Sequence, residues 1–177
     1  MLIENVIFEN ITIQNNDPAI IASSSDNFEI KNSIFSDVLN SIQIQDIPTI
    51  KISSSEIINS KELIFGTIQI SKSSSLEIDN LSIAGVHSSD DEEDSIASSS
   101  ITSTVIISQP TGSTLITNSS FENLISAYGA IYIKTPVAST IEASGLTIES
   151  NSAIDSTLGS GFNIRDLSEG TISISNS

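Results

Sequence analysis

Hydrophobic and polar residues alternate along most of this chain, and β-branched residues predominate at the apolar positions. Residues 28–31 read Phe-Glu-Ile-Lys and residues 50–53 read Ile-Lys-Ile-Ser, so every second side chain is apolar. A period of two places successive side chains on opposite faces of an extended strand. The pattern therefore predicts strands with one buried face over most of the chain.

The alternating segments recur as a repeat that ends each time in an apolar anchor residue. The six anchors are Phe8, Phe35, Ile57, Ile83, Phe121 and Ile148, and a seventh copy opens at Ile172. Successive anchors are separated by 27, 22, 26, 38 and 27 residues. Periods of about 20 to 50 residues are typical of solenoids. We therefore expect the anchors to form one interior stack in a parallel β-coil.

Within each copy, the positions seven, five and two residues before the anchor are predicted to face the interior together with the anchor. Before the anchor Phe35 these positions are Phe28, Ile30 and Ser33.

A turn residue lies three positions before each anchor. This file consists of Asn5, Asn32, Ser54, Asn80, Asn118, Gly145 and Asn176. Asn and Gly tolerate positive φ, which a sharp bend between two strands requires. Because neighbouring coils would lie about 4.8 Å apart, the Asn amides are expected to hydrogen-bond one another as a ladder. The simpler alternative is that Asn only marks exposed turns.

A further apolar segment follows each anchor after a gap of variable length, as in Ser41-Ile-Gln-Ile44. Proline occurs only between strand segments, where a missing N–H costs least. The predicted fold is thus all-β, a parallel β-helix solenoid of about six coils with three strands per coil. Residues 1–177 are predicted to form a single β-helix segment of a longer solenoid, with an acidic, Ser-rich loop inserted at 87–100.

One stretch of the chain resembles a known family. Asn118-Ser-Ser-Phe121-Glu-Asn123, followed by Gly129-Ala-Ile131-Tyr-Ile133, is similar to the paired Phe-x-x-Asn and Gly-Gly-Ala-Ile motifs of polymorphic membrane protein-like repeats. Such repeats occur in large surface proteins of protists such as ciliates, within the pectin-lyase-like β-helices. Here the first motif reads Phe-x-Asn and the second has one Gly. The resemblance implies a right-handed β-helix and an extracellular or cell-surface location.

Composition narrows the function classes. The chain of 177 residues has 34 Ile and 37 Ser, which excludes a helical bundle, and its apolar content of 38% argues against disorder. Six Lys plus Arg against 22 Asp plus Glu give a net charge of -16. Such a charge repels nucleic acid, and no apolar run is long enough for membrane insertion. The absence of Cys excludes disulfides and thiol chemistry.

Catalysis on a pectin-lyase-like β-helix would need clustered carboxylates or basic residues. The outward positions instead alternate in charge, which predicts cross-coil ion pairs of Lys31 with Glu4 and of Lys51 with Glu29 and Glu77. The chain has one Arg, Arg165, and five scattered Lys. Glu122 beside Glu149 would be an acid pair or simply two solvating groups. We expect no catalytic and no cofactor-binding residues.

The strongest local anomaly is an acidic run next to the single histidine, His87. It consists of Asp90, Asp91, Glu92, Glu93 and Asp94. Three interpretations remain open: a solvated loop, a weak Ca²⁺ site built from oxygen ligands, and phosphorylation of Ser88 or Ser89 beside the acids. His87 is expected to be an exposed loop residue. Ca²⁺ is the only cofactor that the sequence brings into question.

Three glycosylation sequons begin at Asn10, Asn80 and Asn118. In a secreted protein Asn10 would accept a glycan, whereas a glycan on Asn80 or Asn118 would break the predicted ladder.

No capping segment is visible at either end of the predicted solenoid, and open coils expose unpaired backbone groups. We therefore expect the chain to be a segment of a longer solenoid, or its ends to stack on other copies. Together with the surface location that the resemblance implies, this favours a structural or adhesive module of a large surface protein. Its expected partners are other β-helix segments of the same or a neighbouring chain. The alternative is a carbohydrate-binding or carbohydrate-cleaving β-helix, with glycans bound at the face of Tyr128 and Tyr132. Nucleic acid and direct membrane insertion are not expected.

Overall fold

The computed structural model describes residues 1–11, 18–38, 42–59, 61–62, 66–85, 87–88, 104–126, 129–153 and 161–175. These residues form strands, turns and bends but no helix. Accordingly, the described part of the chain has no helix that is long and apolar enough to cross a membrane.

The strands are short, and the longest contain ten residues. In chain order they are β1 (Leu2–Glu4), β2 (Ile7–Glu9), β3 (Ile20–Ser23), β4 (Asn27–Lys31), β5 (Ile34–Ser36), β6 (Ile42–Gln45), β7 (Thr49–Ile58), β8 (Lys61–Glu62), β9 (Ile68–Ser71), β10 (Ser75–Ala84), β11 (His87–Ser88), β12 (Val105–Ser108), β13 (Thr111–Thr117), β14 (Ser120–Glu122), β15 (Ile125–Ser126), β16 (Ile131–Lys134), β17 (Val137–Ser144), β18 (Thr147–Glu149), β19 (Ser152–Ala153), β20 (Phe162–Arg165) and β21 (Gly170–Ser175).

The long sheet contains 11 strands, all paired in parallel. Its main row runs β1-β4-β7-β10-β13-β17-β21, and a second row runs β2-β5-β7-β10-β14-β18, because β7 and β10 extend through both. One outward position of the main row passes in register through Leu2, Glu29, Lys51, Glu77, Leu115 and Glu142. The steps along this position are 27, 22, 26, 38 and 27 residues, equal to the spacings of the sequence anchors.

A separate six-stranded parallel sheet has the order β3-β6-β9-β12-β16-β20, and each of its strands comes after a strand of the second row in the sequence. Two small parallel sheets pair β8 with β11 and β15 with β19. Between two strands of the main row the chain therefore crosses to the six-stranded sheet and returns, and we call each such circuit a pass. The described part of the molecule is all-β with long parallel sheets, as expected of a β-solenoid.

The core consists of files of apolar side chains, one residue from each pass. Alternation within the strands places β-branched residues inward, where they fit the pleated surface. In β7, for example, Ile50, Ile52 and Ile57 are at most 1% exposed. The inward files of the six-stranded sheet are likewise almost entirely aliphatic and buried in the middle passes.

The pairing of β13 with β17 contains a register shift. Thr111 pairs with Val137, but the next residue, Gly112, pairs with Ser139. Ala138 therefore has no partner residue in β13, and its φ is 48°. Gly112 has a φ of 72°, and a Cβ at this position would lie 2.4 Å from the carbonyl oxygen of Ser74. The extra residue is thus absorbed by a bulge at the start of the strand, where only glycine fits opposite it.

Thr114 is an exception in the apolar core. It lies between Leu76 and Ile141 in one inward file, is 1% exposed, and its hydroxyl has no hydrogen-bond partner.

Replacing Thr114 by the isosteric valine, Thr114→Val, is expected to raise the free energy of unfolding by about 1 kcal/mol, because a buried unpaired hydroxyl is removed. Urea unfolding measures the change. Ser139→Ala, which deletes a buried hydroxyl that donates to the carbonyl of Pro110 at 2.6 Å, should instead destabilise the protein. A destabilising Thr114→Val would contradict the interpretation.

Candidate functional site

The predicted turn residues lie at the corner between the main row and the second row. All six described members of the file have positive φ, from 48° at Ser54 to 61° at Gly145. Asn176 lies outside the described residues. The backbone N–H of Asn32 donates to the carbonyl of Ser53 at 3.1 Å, and that of Asn118 donates to Ser144 at 3.0 Å. The positive φ therefore turns the chain while its N–H still bonds to the neighbouring pass.

Two further corner files have the same geometry. The second follows the anchors by two residues, with φ between 51° and 67°, and the third follows the six-stranded sheet, with φ between 50° and 57°. The second file is Asn10, Asp37, Asn59, Gly85, Asn123 and Ser150, and the third is Ser24, Asp46, Lys72, Gln109, Thr135 and Asp166. In both files most of the backbone N–H groups donate to the next pass at 2.8–3.1 Å. The second file consists mainly of Asn, Asp and Gly, which tolerate positive φ, so this corner could have been predicted from the sequence, although it was not. The third file contains few residues of these types.

The side chains of the first corner file do not bond as a chain of amides. Asn80 donates to the hydroxyl of Ser54 at 3.4 Å, and Asn118 donates to a carboxylate oxygen of Asp79 at 2.9 Å. No amide of the file bonds to another amide of the file within the described part of the chain. A carboxylate is the stronger acceptor, so Asn118 bonds to Asp79 instead of the neighbouring Asn80.

The carboxylate of Asp79, in β10, accepts two hydrogen bonds at this corner. The hydroxyl of Thr117 donates to its carboxylate at 2.7 Å, in addition to the amide of Asn118. These two bonds, the Thr117 bond first, hold the pKa of Asp79 below its ordinary value of 3.8. Partial desolvation opposes the shift, and the charge of Lys51 adds to it. The pair of hydrogen bonds ties the corner of one pass to the strand of the pass before.

Serine hydroxyls complete the first corner from inside. Ser33, Ser55 and Ser119, which we call the bridging serines, each follow a corner residue and are at most 5% exposed. The hydroxyl of Ser33 donates to the carbonyl of Lys31 at 3.0 Å and accepts from the N–H of Val6 at 3.4 Å. Ser55 and Ser119 repeat this geometry in their own passes. The bridging serines thus satisfy backbone groups that the bend would leave unpaired in the interior.

The six anchors follow one another in register along the second row. Phe8 pairs with Phe35, Phe35 with Ile57, Ile57 with Ile83, Ile83 with Phe121, and Phe121 with Ile148. The rings of Phe8 and Phe35 are stacked, with centroids 4.7 Å apart and planes within 6°. The four middle anchors are 0% exposed, whereas Phe8 and Ile148, on the outermost strands of the row, are partly exposed.

Outward charges on neighbouring strands form ion pairs. Lys31 lies 3.1 Å from Glu4, and Lys51 lies 2.7 Å from Glu77, as the alternation predicted. The hydrogen bond with Glu77 raises the pKa of Lys51, and the charge of Glu29 contributes to the same shift. A third pair, Lys72 with Asp46, joins two residues of the third corner file at 3.1 Å.

Two registered pairs carry like charges instead. Glu122 of β14 pairs with Glu149 of β18, and Lys134 of β16 pairs with Arg165 of β20. Tyr132 precedes Lys134 on the same outward face, whereas Tyr128 is outside the described residues.

The acidic run Asp90–Asp94 lies outside the described residues. The Ca²⁺ and loop interpretations of this run therefore stay predictions. His87 and Ser88 form β11, which pairs in parallel with Lys61 and Glu62. Where the structure does describe side chains, no three His, Asp or Glu residues gather in a way that would hold a metal ion. Of the sequon residues, Asn10 is exposed at a corner, while the amides of Asn80 and Asn118 donate hydrogen bonds.

Comparison with protein-family models, with curated proteins and with solved structures produced no match to this chain. The geometry of the described residues defines the class: an all-β arrangement of parallel sheets in which side-chain hydrogen bonds and ion pairs mainly join neighbouring passes.

Asn118 offers a direct test of the corner geometry. Asn118→Ala is expected to lower the free energy of unfolding by about 1–2 kcal/mol, because alanine is strained at positive φ. Asn118→Gly should cost less, since glycine accepts the conformation and loses only the bond to Asp79. Thermal and urea unfolding compare the two, with Ser75→Ala at an exposed strand position as the control. Equal losses for Ala and Gly would show that φ is not the cause.

The lowered pKa of Asp79 predicts a specific pH dependence. Its carboxylate stabilises the fold fully above pH 3.8, and this contribution is lost as the pH falls through the lower pKa of the folded state. The difference in unfolding free energy between wild type and Asp79→Asn should therefore be largest above pH 3.8 and shrink below it. Thr117→Val should bring the pKa of Asp79 back towards 3.8 in an NMR titration of the carboxyl group. An unchanged titration would refute the assignment to Thr117.

Proposed function

We propose that this chain is a non-enzymatic structural or adhesive module of a large extracellular or cell-surface protein. In this proposal it is a right-handed parallel β-helix of about six coils with three strands per coil. It assembles end to end with other β-helix segments of the same or a neighbouring chain. The surface location is supported by the resemblance of residues 118–133 to repeats of surface proteins.

The architecture of the proposal is supported by the order in which the chain visits the sheets. A single pass runs through β4 in the main row, β5 in the second row and β6 in the six-stranded sheet before β7 returns to the main row. We assign these three strands to one coil of the proposed helix. Crossovers between parallel strands are right-handed in about 98% of cases, which favours the right-handed helix.

The observation that carries the end-to-end contact is the exposure of inward residues on β21. Ile172 and Ile174 continue the inward files of Ile141 and Ala143. They are 43% and 58% exposed, whereas Ile141 and Ala143 are at most 1% exposed. The side of β21 away from β17 has no strand partner within the described part of the chain. An apolar face with free backbone groups is suited to pairing with another parallel strand.

The opposite end offers a matching edge. β1 pairs only with β4 among the described strands, and β3 pairs only with β6. Ile3 lies in the same inward file as Ile174. A β-helix segment seated on either end would therefore continue the existing files without a change of register. A module with a continuous core and lateral polar bonds is suited to serve as a rigid spacer or adhesive rod.

Sedimentation equilibrium tests the end contact. In about 0.5 M salt, where surface ion pairs are screened, the wild-type chain should associate with rising concentration. Ile174→Lys should weaken this association by at least about tenfold, because a buried ammonium in the contact is unpaired. Ser173→Lys, on the outward side of the same strand, is the matched control and should associate as the wild type does. A wild type that stays monomeric at all concentrations, or equal effects of the two variants, would contradict the proposed contact.

A further inference from the structure

Cations on this surface normally lie next to acids of the neighbouring pass. Lys31, Lys51 and Lys72 each form an ion pair of 2.7–3.1 Å with a carboxylate from an adjacent pass. This is the arrangement that stabilises neighbouring strands, since opposite charges attract across the strand pair and like charges repel.

The like-charged pairs on the last two passes break this rule. Glu122 and Glu149, which we call the acid pair, lie side by side on β14 and β18. Lys134 and Arg165, which we call the basic pair, lie side by side on β16 and β20. Within the part of the chain that the structure describes, none of the four side chains makes an ion pair or a side-chain hydrogen bond. Among registered strand pairs with described side chains, these are the only two that match charges of the same sign.

Both pairs project away from the core. Glu122 follows the buried anchor Phe121, and Lys134 follows Ile133, which is 0% exposed. The acid pair lies on the long sheet and the basic pair on the six-stranded sheet, so they face different sides of the molecule. Within each pair the two residues are neighbours across one parallel strand pair, which separates their backbones by about 4.8 Å. The two pairs therefore have opposite charge and the same spacing.

We propose that the acid pair and the basic pair are the two halves of a side-by-side contact between copies of this chain. The basic pair of one copy meets the acid pair of the next, and two ion pairs form at one repeat spacing. This relieves the repulsion that each pair carries within its own copy. Because the two halves are different surfaces, the contact is heterologous and extends into a row of parallel molecules. It does not depend on the end-to-end contact proposed above.

Net charge decides the conditions under which this contact forms. Copies with a net charge of -16 repel one another at low ionic strength. At about 0.15 M salt the Debye length is about 8 Å, so long-range repulsion is screened while ion pairs in contact are screened less. Association should therefore be strongest near this ionic strength and decline at both lower and higher salt. Acidic proteins without a basic patch would show no such maximum.

A charge-swap experiment tests the contact in the Ile174→Lys background, in which the end contact is weakened. Lys134→Glu with Arg165→Glu, and separately Glu122→Lys with Glu149→Lys, should each weaken self-association at least about tenfold in sedimentation at about 0.15 M salt. Mixing the two double variants should restore association, because one then carries only acid pairs and the other only basic pairs. Circular dichroism melting checks that each variant is folded, which is expected because all four side chains project away from the core.

The matched control is Lys31→Glu with Lys72→Glu, which changes the net charge by the same amount away from the basic pair and should leave association unchanged. Loss of association in this control, no loss in the swaps, or failure of the mixture to recover would each overturn the proposal. Binding of poly-L-glutamate to the basic pair without any self-association would also overturn it and assign the basic pair to a foreign polyanion. Because the end contact is weakened equally in every variant of this background, these outcomes are separate from the test of end-to-end assembly.

Discussion

In-register pairing of parallel strands is the constraint on which the rest of this structure depends. It places a residue of each pass directly beside the residue with the same role in the next pass, at every inward, outward and corner position. An apolar residue is then covered by apolar residues on both sides, as Ile52 is by Ile30 and Ile78. A chain of 34 Ile and 37 Ser suits this arrangement, because few side-chain types need to fit and each fits against its own kind.

The corners show how the chain bends without abandoning this pairing. Three files of positive φ let the N–H of most corner residues reach the neighbouring pass, and the bridging serines satisfy the buried groups behind the first file. A hydroxyl is small enough to sit at an inward position and can both donate and accept. Serine is therefore part of the interior as well as of the surface, which explains why a serine-rich chain still forms a packed core.

Much of this could be predicted from the sequence because the alternation and the anchors repeat at fixed offsets. The strand spacings of 27, 22, 26, 38 and 27 residues follow from the anchors alone, and the first corner file follows from Asn5, Asn32 and their equivalents. The third corner file could not be predicted, because Lys72, Gln109 and Thr135 rarely adopt positive φ and only their neighbours impose it. Nor does any local pattern show that Asn118 prefers the carboxylate of Asp79 to the amide beside it, since this depends on side-chain positions in three dimensions.

The bulge opposite Gly112 has an evolutionary consequence. Ala138 is an additional residue, yet Ile141 still lies beside Thr114 on the interior side, because the surplus is taken up before the first inward position. In a strand without such a device, one inserted residue would exchange the buried and solvated faces. Here a residue gained or lost at the start of a strand is accommodated by a local bulge, and the rest of the strand keeps its register. Units of this kind can therefore diverge in length from one another while keeping a common cross-section.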